Sequence, residues 1–313
     1  MESQSNPSIS HIMQSTDNHR FPMKLGYDLA GVVAAVGASV TNFKPGDEVY
    51  TRTQRHYRGS IAEYCLTNVN STALKPASVS FIEAASIPLA GITALQALER
   101  ADGQLQGGLK GKTVYIPGGL SGTGLFAVQL AKNVFGAGKV ITTLSTGKIP
   151  KIKEYLKKST PDTIVDYTKE NVNEAVGKGN VDFMFDTMKG ATAALPVMKK
   201  KTGVIVSVST SGNGTVLKKN HAPDLPSYLV MLLNIIDWFY TTYIGWYGVN
   251  YSSLYMSGNA KDLESFSRWV SEGKIKTVVG RTVKLSDIEG VRKGCQEVYD
   301  GKGTVGKFVI EID

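Results

Sequence analysis

The stretch "PGGLSGTG", residues 117–124, is the part of the chain best suited by residue type to hold a charged ligand. It follows a short apolar run, "TVYI", and opens into "LFAVQLAKNVFG", which has the apolar spacing of an amphipathic helix. At such a junction the first helical N–H groups lack partners and carry partial positive charge. They can receive a pyrophosphate there, and glycine lets it come close. The plainer alternative is a tight turn that needs glycine only for its dihedrals; the strand-turn-helix context favours the phosphate reading. Gly119, Gly122, Thr123 and Gly124 are the candidate contacts, with Ser121 where the middle glycine of a G-x-G-x-x-G string would fall.

The next strand decides which dinucleotide is expected. A domain built for NAD places an acidic side chain roughly 20 residues on, to hold the ribose 2′-hydroxyl. Here the strand runs out as "VITTLSTGK", with no carboxylate. Ser145 and Lys148 instead offer a hydroxyl and a positive charge to a 2′-phosphate, which points to NADPH. Lys148 taken alone reads equally as a solvated residue at a helix start.

The elements around these residues alternate. From residue 25 to 75 the chain is rich in valine, glycine and short alternations, with "KPGD" as a turn before the strand "EVY", so this part reads as β-rich. "FIEAASIPLAGITALQALER" has helical spacing, and Pro88 and Gly91 are expected to divide it into two helices. Strands are then expected at 113–116, 139–143, 163–165, 181–185 and 203–208, separated by helices, which argues for a parallel sheet covered on both faces. The domain boundaries that follow are 1–88, 89–257 and 258–313. The closing strand "KFVIEI" has too little around it to fold alone and is expected to rejoin the N-terminal β region.

Composition bounds the rest. The 313 residues are 42% hydrophobic and 20% charged, which suits a globular protein of one large or two moderate domains. A net charge of +8 by itself suits nucleic acid or an anionic cofactor. The lysines gather in short groups without interleaved aromatics, so nucleic acid is not expected as a partner. Cys65 and Cys295 are far apart and show no metal-binding spacing; both read as small buried hydrophobes. The first 20 residues are polar and lack the apolar core of a secretory signal, so the expected location is cytoplasmic.

Taken in order, "FPMKLGYDLAGVVAAVG", "FKPGDEVY", "RGSIAEY", "VDYTKENV", "VDFMFDT" and "GKIKTVVGRTVKLSDI" with "GTVGKFVIEI" resemble the medium-chain dehydrogenase/reductase superfamily, specifically its zinc-free quinone oxidoreductase and enone reductase branch. The resemblance implies an α/β fold: a Rossmann doubly wound parallel sheet plus a discontinuous GroES-like β domain, incomplete at the N-terminus. It adds Tyr167 beside the 2′-phosphate, Thr93 and the Val208-Ser209 segment flanking the nicotinamide, and Thr304 as a late cofactor contact. Asn6, in "NPS", matches a residue that the family places near nicotinamide and substrate. Because that motif comes so early, the first strands of the β domain are expected to be absent, leaving sheet edges unpaired.

Zinc-dependent relatives carry a histidine within the motif that here reads Gly26-Tyr27-Asp28. Tyrosine is a poor zinc ligand, and the four histidines, at 11, 19, 56 and 221, assemble no tetrahedral site by spacing, so no metal is expected. Without a Lewis acid, the chemistry that the resemblance implies is hydride transfer from NADPH to a quinone or to the double bond of an α,β-unsaturated carbonyl. A phenol must then steady the developing oxyanion. Tyr27 is the first candidate, with Tyr50 and Tyr57 in reserve and Tyr50 read more readily as packing. The partner would be a small quinone or enone, and the protein a monomer or homodimer. Two other readings stay open: a redox-silent nucleotide-binding or scaffolding relative, and a cyclase-like enzyme reusing the pocket. Residues 225–256 hold an apolar run broken by Asn234 and Asp237. It is read first as core, dimer interface or pocket lid, and second as a peripheral membrane contact through 225–247.

Overall fold

The computed structural model describes residues 2–4, 25–54, 59–209, 212–220, 222–301 and 305–312. It divides into two compact units: Met1–Ile92 with Ser257–Asp313, and Thr93–Met256.

The first unit is built on a six-stranded sheet. In chain order its strands are β1 (Glu2–Gln4), β2 (Asp28–Val32), β3 (Glu48–Arg52), β4 (Thr72–Leu74), β11 (Val279–Lys284) and β12 (Lys307–Glu311). They lie in the order β11-β12-β1-β2-β3-β4. The closing strand therefore does return to the N-terminal β region, where its core face, Phe308, Ile310 and Ile312, packs with Val291 and Cys295. At the front of this sheet Glu2–Gln4 stands between β12 and β2, paired antiparallel with both, and among the described residues the sheet's edges are β11 and β4.

Helices Phe81–Ala85 and Pro88–Gln104 follow β4. The first has a full capping box, in which Ser80 and Glu83 each take up an N–H of the other. The break falls at Pro88 alone. Gly91 lies inside the second helix, where a Cβ would come within 2.9 Å of the Phe266 ring. Its small size is a packing requirement rather than a stop signal.

The second unit carries the parallel sheet: β5 (Thr113–Pro117), β6 (Lys139–Leu144), β7 (Thr163–Asp166), β8 (Phe183–Asp186), β9 (Val204–Ser207) and β10 (Asn250–Ser253), in the order β10-β9-β8-β5-β6-β7. Near-continuous burial along β6, β8 and β9 matches strands covered on both faces. Chain order reverses on either side of β5, so the crevice at its C-terminal end is the switch point where open α/β sheets take ligands. No helix among the described residues is long and apolar enough to cross a membrane.

Candidate functional site

The turn after β5 sits at that switch point. Gly118 adopts φ +68, a left-handed conformation that favours glycine, and its carbonyl accepts from Ser121 N at 2.8 Å. Ser121 is the N-cap of the helix Gly122–Asn133, its Oγ accepting from Gly124 N at 3.0 Å. This explains the serine in the glycine string: the position has to cap. Gly119 N donates to Thr142 Oγ1 at 2.9 Å, and Thr142 Oγ1 donates on to Ile116 O at 2.6 Å. Three of the five candidate N–H groups, those of Gly119, Ser121 and Gly124, are thus already engaged within the chain. Those of Gly122 and Thr123, at the positive end of the helix, have no acceptor among the described residues. A Cβ at Gly119 would run into Thr142, and one at Gly124 into the carbonyl of Gly118. The turn is a cradle that only glycine leaves open, and it fits a pyrophosphate.

At the end of β6, Ser145 begins a turn in which Lys148 N donates to Ser145 O at 2.9 Å, and the Lys148 side chain is exposed. Tyr167 N donates to Leu144 O at 3.2 Å, which brings the exposed Tyr167 to the same strand end. One carboxylate lies close by that the run "VITTLSTGK" does not contain. Asp166 of β7 pairs in register with Leu144 and accepts from the hydroxyls of Thr146 and Thr168. Those two hydrogen bonds hold it below the usual carboxylate range, with its lone pairs committed to protein donors.

The segment after β9 is organised by a second residue that sequence reasoning missed, Asp186. It is fully buried, with Oδ1 accepting from Met188 N (3.1 Å) and Gly190 N (2.8 Å) and Oδ2 from Ser207 Oγ (2.9 Å) and Ser209 Oγ (3.1 Å). Asp186 O also accepts from Val208 N at 3.0 Å. The Ser209 hydroxyl takes Lys189 N at 2.9 Å as well, so it is spent on scaffolding. What Val208 and Ser209 offer outward is main chain. Thr93, on the helix Pro88–Gln104, is largely buried. Asn6, Tyr57, Thr304 and all four histidines lie outside the described residues.

In the first unit, Tyr27 is buried and the Arg52 guanidinium sits 5.1 Å from its ring centroid. Beside it, Asp28 is 1% exposed; Oδ1 accepts from Leu89 N at 3.0 Å, while Oδ2 has no partner among the described residues. Burial pushes the Asp28 carboxyl up to about 6, against the pull of Lys307 and Arg52. Lys307 moves the other way: desolvation lowers it to about 8, and Asp28 opposes that. Arg52 Nε is likewise buried and unpartnered. The signal that could have found Asp28 is its place after Tyr27 in "GYD", a charged residue on an otherwise apolar strand.

Tyr50 is placed as packing. Its ring is fully buried, but its hydroxyl is not solvated: it donates to Leu263 O, lies 3.0 Å from Ser267 Oγ, and is pushed well above the usual phenol range by burial. Among the described residues there is no cluster of three or more His, Cys, Asp or Glu that could hold a metal.

Comparison with known proteins agrees with this architecture. The family described as "Alcohol dehydrogenase GroES-like domain" matches residues 3–82, and that described as "Zinc-binding dehydrogenase" matches 161–310. The chain is 40% identical over 214 residues to 2-methylene-furan-3-one reductase of Solanum lycopersicum, covering 63% of this chain and 52% of that protein. It is 36% identical over 214 residues to the chloroplastic NADPH-dependent alkenal/one oxidoreductase of Arabidopsis thaliana, covering 63% and 53%. These matches span about half the length of the two relatives. The solved quinone oxidoreductase of Coxiella burnetii superposes with TM-score 0.75 at 25% identity, over 100% of this chain and 88% of that one. By its two family domains, its Rossmann sheet and its quinone- and enone-reducing relatives, the chain belongs to the medium-chain dehydrogenase/reductase superfamily.

Proposed function

We propose that the protein is an NADPH-dependent reductase of quinones or α,β-unsaturated carbonyls that works without zinc, in the cytoplasm, as a monomer or homodimer. One observation carries the reading: the two open N–H groups of the β5 turn and the Ser145, Lys148 and Tyr167 side chains at the ends of β6 and β7 belong to one sheet end, at its switch point.

In this reading Gly122 and Thr123 donate to the pyrophosphate, with Gly119, Ser121 and Gly124 holding the cradle open. Ser145 and Tyr167 donate hydroxyls to the 2′-phosphate and Lys148 supplies its counter-charge. Thr93 and the main chain of Val208 and Ser209 flank the nicotinamide, with Thr304 and Asn6 as further contacts. NADPH, when bound, supplies the hydride. The phenol of Tyr27 donates a hydrogen bond to the acceptor's carbonyl oxygen as negative charge builds there, with the Arg52 cation beside the ring favouring that charge.

Lys148→Glu tests the cofactor half. NADPH turnover, followed by absorbance of the reduced cofactor over a panel of quinones and enones, should show KM for NADPH rising about tenfold or more with kcat little changed, and a shift in preference toward NADH. Equal NADPH affinity in the variant refutes the 2′-phosphate assignment, and no oxidation with any acceptor refutes the reductase.

A further inference from the structure

The helix Ser227–Trp246 is apolar on nearly every side, a composition that belongs in a core or against lipid. Only Ile244 in it is buried. Its two polar interruptions face the protein: Asn234 exchanges hydrogen bonds with Thr215, and Asp237 accepts from Asn213. The outward stripe consists instead of Tyr228, Met231, Ile235, Trp238, Phe239 and Trp246, with Trp238 61%, Phe239 62% and Trp246 81% exposed. Asp237 is the helix's only charged residue, so this face carries no charge. A stripe of this size calls for cover.

Charge around the stripe indicates what covers it. The short helix Gly214–Asn220 packs alongside, with Asn213 set against Asp237 and Thr215 against Asn234, so it runs antiparallel and carries Lys218 and Lys219 toward the N-terminal half of the longer helix. At the other end, Lys201 N donates to Gly248 O at 2.6 Å, which fixes the exposed Lys200 and Lys201 beside the last turn. None of these four lysines has a carboxylate partner among the described residues. A second copy placed on the stripe by a two-fold axis would set lysine ends against lysine ends, whichever way the helices ran. An anionic lipid surface meets both features at once, with aromatic rings at headgroup depth and lysines at the rim.

We propose that the helix Ser227–Trp246 is a membrane-surface docking element that lies in the headgroup layer of an anionic bilayer, with Lys200, Lys201, Lys218 and Lys219 contacting lipid phosphates. The inference does not depend on the reductase reading, because neither the helix nor these lysines belong to the proposed cofactor or acceptor site.

The full chain is sedimented with vesicles of phosphatidylcholine alone and of phosphatidylcholine with about 30% phosphatidylserine. Binding is expected to the second and to be at least about tenfold weaker to the first, with salt releasing it and a blue shift of tryptophan emission accompanying it. Trp238→Asp with Phe239→Asp should abolish binding; Lys218→Glu with Lys219→Glu should weaken it and remove part of the salt dependence. Circular dichroism confirms that both variants are folded, and the lysine variant, which leaves the apolar stripe intact, keeps the test open if the aromatic one misfolds. Failure to bind phosphatidylserine vesicles overturns the proposal. So does a dimer on gel filtration that the aromatic variant splits while vesicle binding is absent, which would make the face an interface between copies.

Discussion

Replacing Asp28 with asparagine should change how stability depends on pH in a specific window. In the folded protein the Asp28 carboxyl is pushed to about 6 from its ordinary 3.8, with burial as the largest cause. The native state therefore holds this proton more tightly than the unfolded chain does. The resulting stabilisation is complete below about pH 4 and is lost as pH rises through about 6, by about 3 kcal/mol at 1.36 kcal/mol per pKa unit. Asparagine can still accept from Leu89 N but does not titrate, so the variant lacks this loss. In a domain of this size about 3 kcal/mol corresponds to a Tm difference on the order of 10 °C. The measurement is Tm by circular dichroism for both proteins between about pH 4 and about 6.5, below the range where Lys307 titrates. Wild type minus variant should fall by most of that difference across the window; the subtraction removes the opposite trend from carboxylates such as Asp166 that are held low. A difference that stays flat, or that rises with pH, refutes the account of Asp28 as a buried, destabilised carboxylate.

Three other substitutions separate scaffold from chemistry. Gly124→Ala forces a Cβ into the carbonyl of Gly118, which is backbone and cannot swing aside; a loss of about 3 kcal/mol or more is expected, read as a Tm drop or failure to fold. Ser121→Ala removes only the helix cap and should cost about 1 kcal/mol, a few degrees in Tm, with cofactor affinity nearly kept. Tyr50→Phe leaves the Leu263 carbonyl without its buried donor and should cost about 1–3 kcal/mol in urea unfolding; a fall in kcat with stability unchanged would show that Tyr50 is not a packing residue.

The features that could be read from the sequence are those carried by local pattern. The glycine turn between a strand and a helix and a C-terminal strand too isolated to fold alone depend on neighbours in the chain, and each has its place in the structure. What escaped depends on partners far away in sequence. Asp28 becomes unusual because the fold buries its carboxyl, and the Lys307 that β12 returns to the same sheet and the Leu89 N that reaches the carboxylate only partly oppose the effect of that burial. Asp186 matters because Ser207 and Ser209 come to it from the adjacent parallel strand and its exit. Gly91 reads locally as a helix breaker, but it sits inside the helix against Phe266, a residue distant in sequence. The helix Ser227–Trp246 misled in the other direction: all-round apolar sequence suggests a buried element, whereas Asn234 and Asp237 turn inward and leave the aromatics outside.

Thr142 makes a ruler of the proposed cofactor site. Its hydroxyl joins Gly119 N to Ile116 O, while its own strand, β6, leads directly to Ser145 and Lys148. The place where one phosphate group would sit and the place where another would sit are therefore gauged from a single strand pair, spaced about 4.8 Å apart. Cofactor preference can be retuned at Ser145 or Lys148 with the gauge intact. A change at Thr142 would shift the origin of the scale, and both anion positions would be misread together.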